Sequence, residues 1–136
     1  MVKQNSAVPV LEFRVALTTS DYERMTNFYF KALGIQPTQK WDNGQGRAVI
    51  LNMGNATLEI FNETQAATID QIEAGKRVSG QVRFALQVPD LKRAVERLLA
   101  HGATMVHPPV LTPWGDTNAR FQDPDGMQIT LFEKSG

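Results

Sequence analysis

The chain has 136 residues, 42% of them hydrophobic and 21% charged, which bounds it to one globular domain able to bury a core. Lys and Arg number 14 and Asp and Glu number 14, so the formal net charge is zero, and nothing in that balance points to nucleic acid or an anionic membrane as a partner. The chain has no cysteine, which excludes disulfides and thiolate metal sites, and no run approaches the roughly 20 apolar residues of a membrane span.

Residues 1–6 are short and polar with no signal-peptide core, so a cytoplasmic location is the default expectation. From Glu12 the residues alternate, with Phe13, Val15 and Leu17 on one face and Arg14, Ala16 and Thr18 on the other, the mark of a strand with one face in a core. Ser20 and Glu23 have capping-box spacing, so a helix should begin near Asp21. Its apolar stripe reads Tyr22, Met25, Phe28, Tyr29, Ala32 and Leu33, and Gly34 can stop it in a left-handed conformation. Strands follow at about residues 35–41, 47–53 and 56–62, separated by the turn-rich stretch 42–46 and by Gly54-Asn55. On the last of these, Leu58 and Ile60 go under the helix, so Glu59 and Phe61 face the other way. Residues 63–79 read as a polar connector, part helix and part loop.

The pattern then repeats. Aligning Asp21 with Asp90, a shift of 69 residues, sets Arg14 on Arg83, Ala16 on Ala85 and Leu17 on Leu86. A period near half the chain points to duplication. The second strand carries Val82, Phe84, Leu86 and Val88 against Gln81, Arg83, Ala85 and Gln87. Asp90 caps a helix whose buried stripe is Leu91, Ala94, Val95, Leu98 and Leu99, ended by Gly102. Strands follow at about 104–107, 117–122 and 127–133, with a tight turn at Asp123-Pro124-Asp125-Gly126. On the last strand Met127, Ile129 and Leu131 are core, so Gln128, Thr130 and Phe132 face away. The expected fold is α+β: one domain of two β-α-β-β-β modules, about 8–62 and 80–134. Each is a curved mixed sheet with a helix on its outer face, and together they form a concave cleft.

Several residues carry two readings. Arg14 and Arg83 either sit on a solvated sheet face, paired with a carboxylate such as Glu59, or line a pocket and hold an anionic or polar ligand by forked hydrogen bonds. Glu59 is a relict ligand, a general base or an arginine partner; the last is favoured, and a neighbouring arginine would lower its pKa. His101 suits a helix C-terminus, and His107 suits a strand end. Trp41 and Trp114 divide between packing and ligand contact, Trp114 being on a loop that could flank a cleft. Phe28 and Tyr29 fall on the core stripe.

The segments Arg14-Val-Ala-Leu-Thr-Thr-Ser-Asp-Tyr-Glu-Arg24, Phe28-Tyr29 and Leu33-Gly34 resemble the opening of a vicinal-oxygen-chelate module. So do Phe84-Ala-Leu-Gln-Val-Pro-Asp-Leu91, His101-Gly-Ala103, Trp114-Gly-Asp116 and Phe121-Gln-Asp-Pro-Asp-Gly126. The chain thus resembles the glyoxalase/bleomycin-resistance/extradiol-dioxygenase superfamily over about residues 11–133. The resemblance implies four metal-ligand positions, which here are Arg14, Glu59, Arg83 and Thr130. Only Glu59 matches, and arginine has no lone pair to give a metal. No metal or other cofactor is therefore expected.

What the resemblance then implies is the bleomycin-resistance branch: a metal-free protein that sequesters a small, polar or anionic organic ligand, as in antibiotic resistance. Arg14, Glu59, Arg83 and Thr130 would supply polar contacts, and Phe61, Phe132 and Trp114 apolar walls. The alternative is a glyoxalase- or lyase-like enzyme using other metal ligands or Glu59 as acid/base. A further reading is a structural or regulatory dimer with a vestigial pocket. A homodimer is expected, because sheet edges and a concave surface need cover.

Overall fold

The structure, a computed structural model, describes residues 8–135. The polar segment 1–6 lies outside the described residues. The first module comprises β1 (Glu12–Thr19), α1 (Tyr22–Leu33), β2 (Gln39–Asn43), β3 (Gly46–Asn52) and β4 (Ala56–Asn62). A connector helix, α2 (Glu63–Ala74), leads to the second module: β5 (Val82–Gln87), α3 (Leu91–Ala100), β6 (Thr104–Leu111), β7 (Thr117–Gln122) and β8 (Gln128–Glu133). All the strands join in one sheet of order β2-β3-β4-β1-β5-β8-β7-β6. β1 lies parallel to β4, and β5 parallel to β8. The two modules meet where β1 and β5 pair antiparallel, with Ala16 opposite Arg83.

Both outer helices start where an aspartate can cap them. Asp21 and Asp90 accept from the backbone N–H of Arg24 and Arg93 at 3.2 and 3.1 Å. The cap of α1 is therefore Asp21 and not Ser20. Tyr22, Met25, Tyr29 and Phe30 of α1 pack on Val49, Leu51 and Ile60. This stripe is rotated from the expected one. Phe28 is 60% exposed, and Thr26 takes an inner position because its hydroxyl donates to the Tyr22 carbonyl at 2.9 Å. In the second module Leu91, Ala94, Val95 and Leu98 pack on Ala119, Phe121 and Leu131, while Leu99 is exposed. The strand expected at 104–107 runs on to Leu111 through Pro108 and Pro109. It is an edge strand with register shifts around His107, where missing N–H groups break no continuous ladder.

The inner face of the sheet is curved, and the connector helix lies on it. Ala66 and Ile69 of α2 pack against Ala16, Ala48 and Phe61. Asn62 caps α2 by accepting from the N–H of Gln65 at 2.9 Å and also holds the N–H of Arg47 at 3.0 Å. Gly46 permits the close approach: with φ of 141°, a Cβ there would stand 2.4 Å from the Cα of Gln65. Gly75 ends the helix in the left-handed region. The polar connector is thus mostly helix, and it fills part of the concavity.

Candidate functional site

The alternation of β1, β4, β5, β7 and β8 turns Arg14, Glu59, Phe61, Arg83, Asn118, Arg120, Thr130 and Phe132 toward the inner face. They divide into two groups. The first lies under α2. Arg120 is fully buried and meets two carboxylates of that helix, donating from Nη1 to Asp70 at 2.8 Å and from Nη2 to Glu73 at 2.9 Å. Asp70 also accepts from the N–H groups of Val78 and Ser79 at 2.8 and 2.7 Å, from Arg77 at 3.1 Å, and from the Ser79 hydroxyl. Glu73 accepts from Asn118 at 2.8 Å and from the Thr130 hydroxyl at 2.6 Å. Arg83, 7% exposed, donates to that same Thr130 hydroxyl at 2.9 Å. Phe61 is buried against α2.

Burial alone would raise the pKa of Asp70, but its hydrogen bonds to Ser79, Arg120 and Val78 outweigh this and hold it at about 2. The unfolded chain therefore binds more protons than the folded one between the ordinary value of 3.8 and about 2. The shift corresponds to roughly 2–3 kcal/mol. This contribution is present above about pH 4 and is lost as pH falls toward 2. Urea unfolding at stepped pH should show the decline, and Asp70→Asn should remove that segment of the slope.

The second group lies beside the first, with Glu59 still in electrostatic reach of Arg83 and of Glu73 on α2. The guanidinium of Arg14 stacks over the Phe132 ring, 4.7 Å from its centroid. Its Nε donates to Glu12 at 2.7 Å, and its Nη1 stands 3.8 Å from Glu59. The Arg14 and Glu59 side chains are 22% and 12% exposed. The pKa of Glu59 is raised, because burial outweighs the attraction of Arg83 and then Arg14. This corrects the sequence expectation that a neighbouring arginine would lower it: desolvation of the carboxylate exceeds the Coulomb gain.

Of the seven residues singled out in the sequence, the structure brings Arg14, Glu59 and Phe132 together and sets Phe61, Arg83 and Thr130 beneath α2, with Glu59 in electrostatic reach of both Arg83 and Arg14. Trp114 stands apart, 46% exposed in the turn between β6 and β7. His101 accepts a helix-end role, with Nδ1 2.9 Å from the Arg97 carbonyl. Asp70, Glu73, Ser79, Asn118 and Arg120 were missed. Their signal is faint: Ala66, Ile69, Asp70, Glu73 and Ala74 recur at helical spacing, which makes the two acids part of a buried stripe.

The four positions that imply a metal cage do not fit one. Arg14 and Arg83 offer only N–H donors, and the Thr130 hydroxyl gives its proton to Glu73 and accepts from Arg83. Among the described residues no cluster of three His, Asp or Glu side chains is placed to hold a metal ion. No described helix is long and apolar enough to cross a membrane.

The fold has many counterparts among solved structures. Methylmalonyl-CoA epimerase from Mycobacterium tuberculosis is similar with a TM-score of 0.67 and 18% identity, over 95% of this chain and 90% of that one. The Streptomyces coelicolor methylmalonyl-CoA epimerase gives 0.68 and 14%, over 96% and 100%. A glyoxalase/bleomycin resistance protein/dioxygenase superfamily member from Vibrio splendidus gives 0.63 and 13%, over 94% and 100%. These identities carry the fold alone. No curated protein matches the chain. Residues 13–131 match the family described as glyoxalase/bleomycin resistance protein/dioxygenase superfamily, and with the two β-α-β-β-β modules sharing one curved sheet the chain belongs to that superfamily.

Proposed function

We propose that the protein binds a small anionic organic molecule without a metal, on the part of the inner face that α2 leaves uncovered. The observation that supports this most is the placement of Arg14: a solvent-reachable cation stacked on an aromatic ring, beside a carboxyl that burial pushes toward neutrality. A guanidinium on an apolar ring is suited to a carboxylate or phosphate joined to an apolar body. Arg83, being buried and tied to Thr130, acts in this reading as floor and not as ligand contact. A thermal-shift screen of small carboxylates, acyl thioesters and antibiotics tests it, since a ligand of the folded state raises the melting temperature. An anionic hit should lose about 1.5–3 kcal/mol of affinity in Arg14→Ala, and a neutral analogue should lose little. Anionic hits indifferent to Arg14 would overturn the assignment.

A second reading rests on Glu59. A carboxyl with a raised pKa on the inner face of the sheet has the character of an acid/base group, and the structural neighbours include methylmalonyl-CoA epimerases. Turnover of a bound thioester or aldehyde adduct, abolished in Glu59→Gln with binding retained, would favour the enzyme; binding without turnover favours the binder. Pairing of two chains belongs to the same proposal, and light scattering at micromolar concentration checks it.

A further inference from the structure

The two outer edges of the sheet are built differently. At one end β6 carries Pro108 and Pro109 and shifts register on both sides of His107, so it offers no continuous ladder to an added strand. At the other end β2 contains no proline, pairs with β3 in unbroken antiparallel register, and is exposed at every position. Among the described residues no strand lies on its far side, so one row of its backbone N–H and carbonyl groups is open to pairing. Charge commonly guards such an edge, but the charges on β2 are of both signs.

Alternation places Lys40 and Asp42 on one face of β2 and Trp41 on the other. Trp41 is opposite Ala48, which packs with Ala16 and Phe61, so the indole is on the inner face; it is 39% exposed. The Asp42 side chain is 70% exposed and stands 3.3 Å from Nε of Arg47. Beside a second copy of itself, Gln39-Lys40-Trp41-Asp42-Asn43 is self-complementary. An antiparallel pair centred on Trp41 sets Lys40 opposite the partner's Asp42, Asp42 opposite the partner's Lys40, and Gln39 opposite the partner's Asn43. Centring the pair one residue earlier would set Lys40 against the partner's Lys40. Centring it one residue later would set Asp42 against the partner's Asp42. Opposite charges facing across a ladder stabilise it and like charges destabilise it, so the charges select the register centred on Trp41. The same register brings the two indoles opposite one another, where each covers apolar surface of the other.

We propose that β2 is the edge through which two copies of this chain pair, antiparallel about a twofold axis at Trp41, so that one sheet runs through both. This rests on the pairing of two chains put forward above and names its surface. The contact is isologous, the same five residues serving on each side, and it closes at two copies because β6 cannot extend the sheet further.

The test is sedimentation equilibrium of the full chain at micromolar concentration. The parent should sediment as a dimer. Lys40→Asp and Asp42→Lys should each raise its dissociation constant about tenfold or more, because each turns both attractive pairs into repulsive ones. Both positions are exposed, so each variant should fold, and its circular dichroism spectrum should match that of the parent. An equimolar mixture of the two variants should regain pairing, since an acidic strand then meets a basic one. The double variant Lys40→Asp with Asp42→Lys should regain it alone. A monomeric parent would overturn this surface and the pairing together. A dimer that neither charge reversal weakens, or a mixture and a double variant that both stay as weak as the single ones, would overturn the assignment to β2 and leave the pairing standing.

Discussion

Arg120→Met is expected to cost the fold about 3–5 kcal/mol, the usual loss when one partner of a buried ion pair is removed and the other is stranded. Arg120 is fully buried, and Asp70 and Glu73 beside it are 1% and 2% exposed. Without the guanidinium Asp70 keeps Arg77 and the turn that follows α2, but among the described residues Glu73 keeps only Asn118 and Thr130. A domain of this size has about 5–15 kcal/mol in all, so the variant should be at best marginal at 25 °C. Urea unfolding measures it. Arg120→Met combined with Glu73→Leu should recover part of the loss, because it removes the stranded charge together with its partner. A loss under about 1 kcal/mol in the single variant would mean that α2 is held by its apolar residues alone.

Gly46→Ala attacks the same helix from the backbone. At φ of 141° an L side chain is strained, and the added Cβ would stand 2.4 Å from Gln65 Cα and 2.5 Å from Gln65 N. Those atoms are main chain in the first turn of α2 and cannot swing aside. Backbone strain of about 1–3 kcal/mol and overpacking of about 1–3 kcal/mol act together, so a loss of roughly 2–5 kcal/mol is expected. Gly54→Ala is the control: φ is similarly positive at 78°, but the added Cβ meets nothing within 4 Å. Only the strain should be lost there. Equal melting temperatures for the two variants would show that α2 does not press on the hairpin at Gly46.

The architecture was legible because each module states its elements by independent signals: two-residue alternation in β1 and β5, aspartate caps and terminal glycines around α1, and turn composition between strands. The place of α2 was not. Its buried stripe carries Asp70 and Glu73, and hydropathy reads an ion-paired buried acid as an exposed one. Arg120 was hidden for the same reason, as a charged residue between Ala119 and Phe121. Which arginine is buried also depends on α2. Arg14 and Arg83 are equivalent in the repeat, but the connector covers only the second. Thr26 shows the converse on α1, a polar residue admitted to the inner side by a bond to its own helix.

The pairing of β1 with β5 has a consequence for synthesis. Glu12 finds its partner Gln87, and Leu17 its partner Val82, only after the connector and the start of the second module have been made. Until then, a chain still on the ribosome has β1 paired on one side to β4 and open on the other. That open edge carries Phe13, Val15 and Leu17 in alternation, the kind of strand that recruits a stranger. The first module emerges as a half-sheet that is complete in sequence and incomplete in hydrogen bonds. The interval between the emergence of β4 and that of β5 is therefore the moment of greatest aggregation risk, and a second nascent copy presenting its own β1 is the nearest wrong partner.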